Sequence, residues 1–185
     1  MKLSNVIRAY MKRFFRPIIL VGIIFIFPCI CTFGQAINIG AKYGGGIIFY
    51  IDETGQHGLI AAASDQGGGS QWGCNGNSVG GTGGAIGKGK TNTANIVSGC
   101  SDISIASRIC YNLDLNGFKD WFLPSKGELN QMFIKKTVIG GFTNEEYWSS
   151  TEYDIYTAWI QNFTSGHQER SAKNNLKNVR PVRAF

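Results

Sequence analysis

Between Gly67 and Lys90 the chain carries 11 glycines in 24 residues. Neither the period of a helix nor the alternation of a strand survives there. Whatever the chain folds into must therefore carry a long irregular loop, 67–90, on its surface. A loop of that length in a compact domain is functional or mobile. The glycines have no period of three, so a collagen helix is excluded. Only 16% of residues are charged and 43% are hydrophobic, which excludes both a coiled coil and a disordered polar tail. The 185 residues suit one domain with a proper core.

Basic residues cluster before Pro17: Lys2, Arg8, Lys12, Arg13 and Arg16, with no acid among them. Ile18 to Phe33 then runs without a charge, and Gly34-Gln35-Ala36 supplies small residues. Such a basic start, apolar run and small-residue end make a secretory signal, residues 1–36, cleaved after Ala36. Met11 offers an internal start. An uncleaved membrane anchor is the alternative: Ile18 to Phe33 alone falls short of the about 20 residues that span a bilayer, but Gln35 to Ala41 is uncharged as well. Contact with a membrane is thus confined to this segment. A lipid anchor at Cys29 or Cys31 is disfavoured, because Pro28 and Ile30 stand where a small residue is required. Removing the five leader bases from the 18 leaves 13 against 12 acids. That balance lacks the clustered surplus of a nucleic-acid footprint.

Without the leader, three cysteines remain: Cys74, Cys100 and Cys110. Export permits a disulfide. Cys110 falls on a helical stripe and reads as a buried thiol, so Cys74 with Cys100 is the expected pair. There is no C-x-x-C, and only His57 and His167 could add nitrogen ligands, so no metal site is expected.

Gly44 to Asp52 reads as a strand, Glu53 to Gln56 as a turn, and His57 to Ala63 as the hairpin partner. Ser101-Asp102 can cap a helix from Ile103, with Ile103, Ala106, Cys110 and Leu113 on one stripe and Asn116-Gly117 closing it. A second helix follows Pro124. Ser125 and Glu128 form its capping box, and Leu129, Met132 and Phe133 supply its buried face. Tyr147-Trp148, Ala158 to Thr164 and Val179 to Phe185 return to strand patterning. The expected class is α+β, with two helices and looping antiparallel strands.

Gly84 to Thr91 matches the phosphate-cradling pattern G-x-x-x-x-G-K-[ST] at every position. That chemistry needs a buried strand before it and a helix after it. Asn75 to Gly84 is no strand, and Asn92 to Gly99 shows no helical stripe. The segment therefore reads as a mobile loop, and no nucleotide or other cofactor is expected. There is no G-x-S-x-G elbow, and the paired acids Asp52-Glu53 and Glu145-Glu146 point apart. No catalytic residue emerges, and the chain is expected not to be an enzyme.

Trp121, Trp148 and Trp159 read as core. Tyr153 to Thr157 reads as an exposed loop with the tyrosine-rich composition of adaptable binding surfaces. In the strand from Ala158 to Thr164, alternation sets Trp159, Gln161 and Phe163 against Ile160 and Thr164. With the aromatics turned inward, Ile160 and Thr164 face out. They would join Tyr153, Asp154, Ile155, Tyr156 and Thr157, with Ser165 and His167, in one exposed ligand-binding face.

GGIIFYID, GQHGLIAAASDQG, QWGC, DWFLPSKGELNQMF, YWSSTEY, AWIQNFTSG and VRPVRAF occur in that order between Gly44 and Phe185. Together they resemble a family of exported bacterial proteins, one also found at the C-terminus of a collagen-like adhesin. The resemblance implies a C-type-lectin-like fold of the formylglycine-generating-enzyme type over residues 37–185. The tail also resembles the variable region of proteins diversified by retroelements. Asp154, Ile155, Tyr156, Thr157, Ile160, Thr164, Ser165 and His167 are reachable from the usual AAC target codon, whereas Glu169 is not. The cysteine pair of the enzymatic members has no counterpart here. The Glu-Pro-Asn, Gln-Pro-Asp and Trp-Asn-Asp signatures of calcium-binding lectins are absent too. The expectation is an exported, secreted or cell-surface binding or adhesion protein whose ligand is a surface protein or a glycan. A subunit of a surface or tail-like appendage is the alternative.

Overall fold

The computed structural model describes residues 37–185. The leader expected over residues 1–36, cleaved or anchoring, lies outside the described residues. Among the described residues no helix is long and apolar enough to cross a membrane.

The first strands are β1 (Lys42–Tyr43), β2 (Gly46–Ile51) and β3 (Gly58–Ala61), joined as an antiparallel meander. The turn between β2 and β3 falls where glycine and short polar residues placed it. Asp52 Oδ1 accepts from the Thr54 amide at 3.1 Å and its hydroxyl at 2.6 Å, an Asx turn.

Four helices follow, against two expected: α1 (Gly89–Gly99), α2 (Ala106–Tyr111), α3 (Lys126–Ile134) and α4 (Lys136–Ile139). Helix α1 was invisible to periodicity because half of its buried face is polar. Asn92 and Thr93 are buried with Ile96. Asn92 Nδ2 donates to the Gly83 carbonyl at 2.7 Å and its Oδ1 accepts from the Gly83 amide at 2.9 Å. Thr93 Oγ1 accepts from the Leu123 amide at 2.9 Å. Satisfied in this way, two polar side chains can be buried.

Helix α2 is shorter than its stripe implied. It begins after Ile105, and Ile103 is 81% exposed outside it. Asp102 is not its cap; the carboxylate accepts instead from the Cys74 amide at 3.2 Å. Asn116-Gly117 forms a separate turn between Leu115 and Phe118. Helix α3 follows expectation. Ser125 Oγ accepts from the Glu128 amide at 3.2 Å, and Glu128 Oε2 accepts from the Ser125 amide at 2.7 Å.

The second sheet is β4 (Glu146–Glu152), β5 (Thr157–Asn162) and β6 (Gln168–Ala172), antiparallel in the order β4-β5-β6. β6 was not foreseen, because Gln168 to Ala172 carries no apolar alternation. β7 (Val182–Ala184) returns to pair with β3, giving the first sheet the order β1-β2-β3-β7. The class is therefore α+β with two antiparallel sheets, as expected.

Trp72, Trp148, Ile96, Cys110, Ile160 and Val179 share one buried cluster. Phe49, Leu129, Met132, Tyr147, Phe163 and Val182 share a second. Buried indoles find acceptors: Trp72 donates to the Ser149 carbonyl and Trp148 to that of Ser70, each at 2.8 Å. A disulfide joins Cys74 to Cys100, and Cys110 is free and buried, as the sequence implied. Burial pushes the Cys110 thiol far up, which leaves it an inert core group. The bridge spans 26 residues, so replacing both bonded cysteines by serine should cost about 3 kcal/mol. Urea melts of the double variant would measure it, and an unchanged midpoint would contradict it.

Candidate binding face

The Gly-rich segment is tied to neighbouring elements by side-chain hydrogen bonds. Two carboxylates, one ammonium and one carboxamide hold it at successive points. Glu152 accepts from the Ser78 hydroxyl at 2.8 Å, the Val79 amide at 3.0 Å and the Gly80 amide at 3.3 Å. Lys173 Nζ donates to Glu152 Oε1 at 2.6 Å and to the Asn77 carbonyl at 2.9 Å. Asn92 grips Gly83, as described above. At its end, Glu128 Oε1 accepts from the amides of Gly87 at 2.8 Å and Gly89 at 3.4 Å.

That last contact decides the phosphate-loop pattern. The motif does run into a helix, contrary to the sequence reading. However, its free amides already hold a carboxylate of the same chain. Glu128 is fully buried there, and burial raises its pKa above the usual value despite these donors. A Cβ on Gly89 would lie 2.2 Å from Glu128 Oε2 and 2.8 Å from the Phe122 ring, so this internal packing by itself requires glycine.

Tyr153 to Tyr156 form the β4–β5 turn. Asp154 Oδ1 accepts from the amides of Tyr156 at 2.8 Å and Thr157 at 2.6 Å, and from the Thr157 hydroxyl at 2.9 Å. The Tyr156 amide first, then Thr157, hold the Asp154 carboxyl below its usual pKa. The Gly76 amide donates to the Ile155 carbonyl, and the Lys173 amide to that of Tyr156, both at 2.9 Å. The backbone is thus fixed while the side chains of Tyr153, Ile155 and Tyr156 remain exposed.

Thr164, Ser165 and His167 are exposed as well, but in the β5–β6 turn. Asn162 Oδ1 accepts from the Thr164 and Ser165 amides at 2.9 and 3.0 Å. The two turns lie at opposite ends of β5, roughly 20 Å apart for a six-residue strand. The nine expected residues therefore do not gather into one face. Ile160, expected outside, is 2% exposed and packs in the cluster of Trp72 and Trp148. Alternation was read correctly and Phe163 is buried as expected, but the opposite side is not outward: Ala158 and Ile160 face the core.

Trp159 is accordingly half-buried on the outer side, contrary to its reading as core. Helix α3 covers part of that side. Gln161 is fully buried there, with Nε2 donating to Asn130 Oδ1 at 3.1 Å and the Gly166 carbonyl at 3.0 Å. At the N-terminal end of α3, Lys126 Nζ sits 3.2 Å from the Trp159 ring centroid. Partial burial lowers the Lys126 pKa. Tyr153 meets Trp159 edge-on at 5.7 Å, and the Arg170 guanidinium lies 4.3 Å over Tyr153. Lys126, Trp159, Tyr153 and Arg170 thus line up across the outer face as two rings in edge-on contact with a cation at each end. Sequence reasoning missed Lys126, Trp159 and Arg170 as surface partners, because they are distant in the chain and no local pattern links them.

Among the described residues no group of three or more His, Cys, Asp or Glu side chains is placed to hold a metal ion. The chain matches none of the curated proteins compared with it. The sequence profile of the Lcl C-terminal domain matches residues 61–183, well over half of the chain, and the protein belongs to that family.

Proposed function

We propose that this is an exported, single-domain binding or adhesion protein, not an enzyme, that engages a surface ligand through the β4–β5 turn and the adjoining Trp159 face. The observation that carries this reading is the turn itself: exposed Tyr153, Ile155 and Tyr156 on a backbone held by Asp154 and Gly76. Rigid, exposed aromatics give contact area at low entropic cost. Membership of the Lcl C-terminal domain family supports a surface role. The two antiparallel sheets, with β7 returning beside β3, support a C-type-lectin-like fold of the formylglycine-generating-enzyme type. An experimental structure with another strand order would refute that assignment.

An array of immobilised glycans and surface proteins tests the reading with three variants. Tyr156→Ala should weaken binding by at least about 2 kcal/mol and leave the melting temperature unchanged. Trp159→Ala should weaken binding as well, since part of its ring is exposed. Ile160→Ala should instead lose about 2–4 kcal/mol of folding stability as a core truncation. Undiminished binding by both aromatic variants would remove the proposed face. The same scaffold suits retroelement diversification, with the exposed Tyr153, Ile155 and Tyr156 free to vary on the turn that Asp154 holds. Isolates should then differ at those positions and keep Ile160; variation spread evenly over the chain would refute this.

A further inference from the structure

The free edge of the second sheet is β6, and its register shows which main-chain groups face outward. The Asn162 amide donates to the His167 carbonyl, and the Lys173 amide to the Tyr156 carbonyl, both at 2.9 Å. Between them, Ile160 pairs with Glu169 and Ala158 with Ser171. In an antiparallel ladder bonded residues alternate, so Glu169 and Ser171 turn their main chain toward β5. Gln168, Arg170 and Ala172 turn theirs away. The Ala172 carbonyl is used by the Asn175 amide at 2.9 Å. The main-chain groups of Gln168 and Arg170 meet no partner among the described residues.

Beside this edge stand two cations without carboxylates. Neither Lys126 nor Arg170 belongs to any ion pair of the described residues. Arg170 is exposed, lies over Tyr153, and pairs across β5 with Trp159 on the same outer side. A strand added at β6 would set one side chain directly opposite Arg170, on the face carrying both cations.

We infer that β6 accepts an extended acidic segment of a partner protein as an added strand, with a carboxylate side chain opposite Arg170. Main-chain hydrogen bonds to Gln168 and Arg170 would give affinity, and the charge match would give specificity. A second copy of this chain fits less well. Antiparallel pairing of two β6 edges about their outward-facing centre sets Arg170 against Arg170 of the copy, and like charges directly opposite are unfavourable. The inference goes beyond the turn reading and does not depend on it.

The test titrates the full-length protein with an end-capped heptapeptide, Thr-Val-Thr-Glu-Thr-Val-Thr, and with its lysine-centred counterpart. The acidic peptide should bind saturably, at least tenfold tighter than the basic one, and should slow hydrogen exchange at Gln168 and Arg170. Arg170→Glu should invert the preference. Arg170→Pro should abolish binding without lowering the melting temperature, because that amide points away from β5 and proline is tolerated at a sheet edge. Tyr156→Ala should leave peptide binding unchanged, which separates this site from the turn. No saturable binding, equal binding of the two peptides, or full binding by Arg170→Pro would each overturn the proposal. Self-association abolished by Arg170→Pro would also overturn it, by assigning the edge to a second copy.

Discussion

Glu152→Ala should lower folding stability by about 3–5 kcal/mol, read as a fall in the urea midpoint. The side chain of Lys173 is fully buried, and its ammonium lies 2.6 Å from Glu152. It also sits 4.7 Å over the Trp72 ring, in surroundings that cannot hydrate it. Alanine at 152 would leave that charge without a counter-ion and release Ser78, Val79 and Gly80. Removing both charges together, as Glu152→Leu with Lys173→Met, should recover much of the loss, since an apolar pair leaves no stranded charge. A single-variant loss below about 1 kcal/mol would place the pair among weak surface bridges. The pH dependence has a definite sign. Burial pushes the Glu152 carboxyl up, but Lys173, Val79 and Ser78 outweigh it and hold the folded-state pKa below the usual value. The stabilisation is therefore complete above the unfolded pKa of about 4.3. It is lost as pH falls through the lower folded value.

The other large effect belongs to Arg180. Its fully buried guanidinium donates to Asp65 Oδ1 at 2.6 Å, to the Ala62 carbonyl at 3.0 Å and to the Gly140 carbonyl at 3.2 Å. A further bond reaches the Gly141 carbonyl. Asp65 in turn accepts from the Tyr147 hydroxyl at 2.7 Å. One planar fork thereby ties the end of β3, the α4–β4 connection and the approach to β7. Arg180→Ala should cost about 3–5 kcal/mol, because Asp65 and three carbonyls lose their donor at once. Arg180→Lys should recover little, since a single ammonium cannot match the fork. Equal stability of the lysine variant and the parent would show that charge alone suffices.

What the sequence disclosed follows from how local each signal is. The β2–β3 turn, the Ser125–Glu128 capping box and the Cys74–Cys100 pair rest on neighbours in sequence or on simple elimination, and each matches the structure. Helix α1 escaped because Asn92 and Thr93 are buried by bonds to Gly83, Ser150 and Leu123, partners no periodicity can indicate. The outward assignment of Ile160 failed for a related reason. Alternation separates two sides, but only α3 and Lys126 determine that the larger aromatic stands on the wetter one. The β4–β5 turn was located correctly from its composition. Its supposed extension to Thr164, Ser165 and His167 failed because a strand separates its ends by its own length.

The pairing of β7 with β3 bears on when this protein can fold. Leu59 lies opposite Ala184 and Ala61 opposite Val182, so nearly the whole described chain separates the two partners. A ribosome must have finished β7 before the first sheet can close, and loop closure of that span is intrinsically slow. Until then, the β3 edge and the apolar side chains of Leu59 and Ile60 stay uncovered. A chain crossing a membrane N-terminus first would meet the same delay on the far side. Closure of the first sheet is thus a late event, set by the arrival of the last strand.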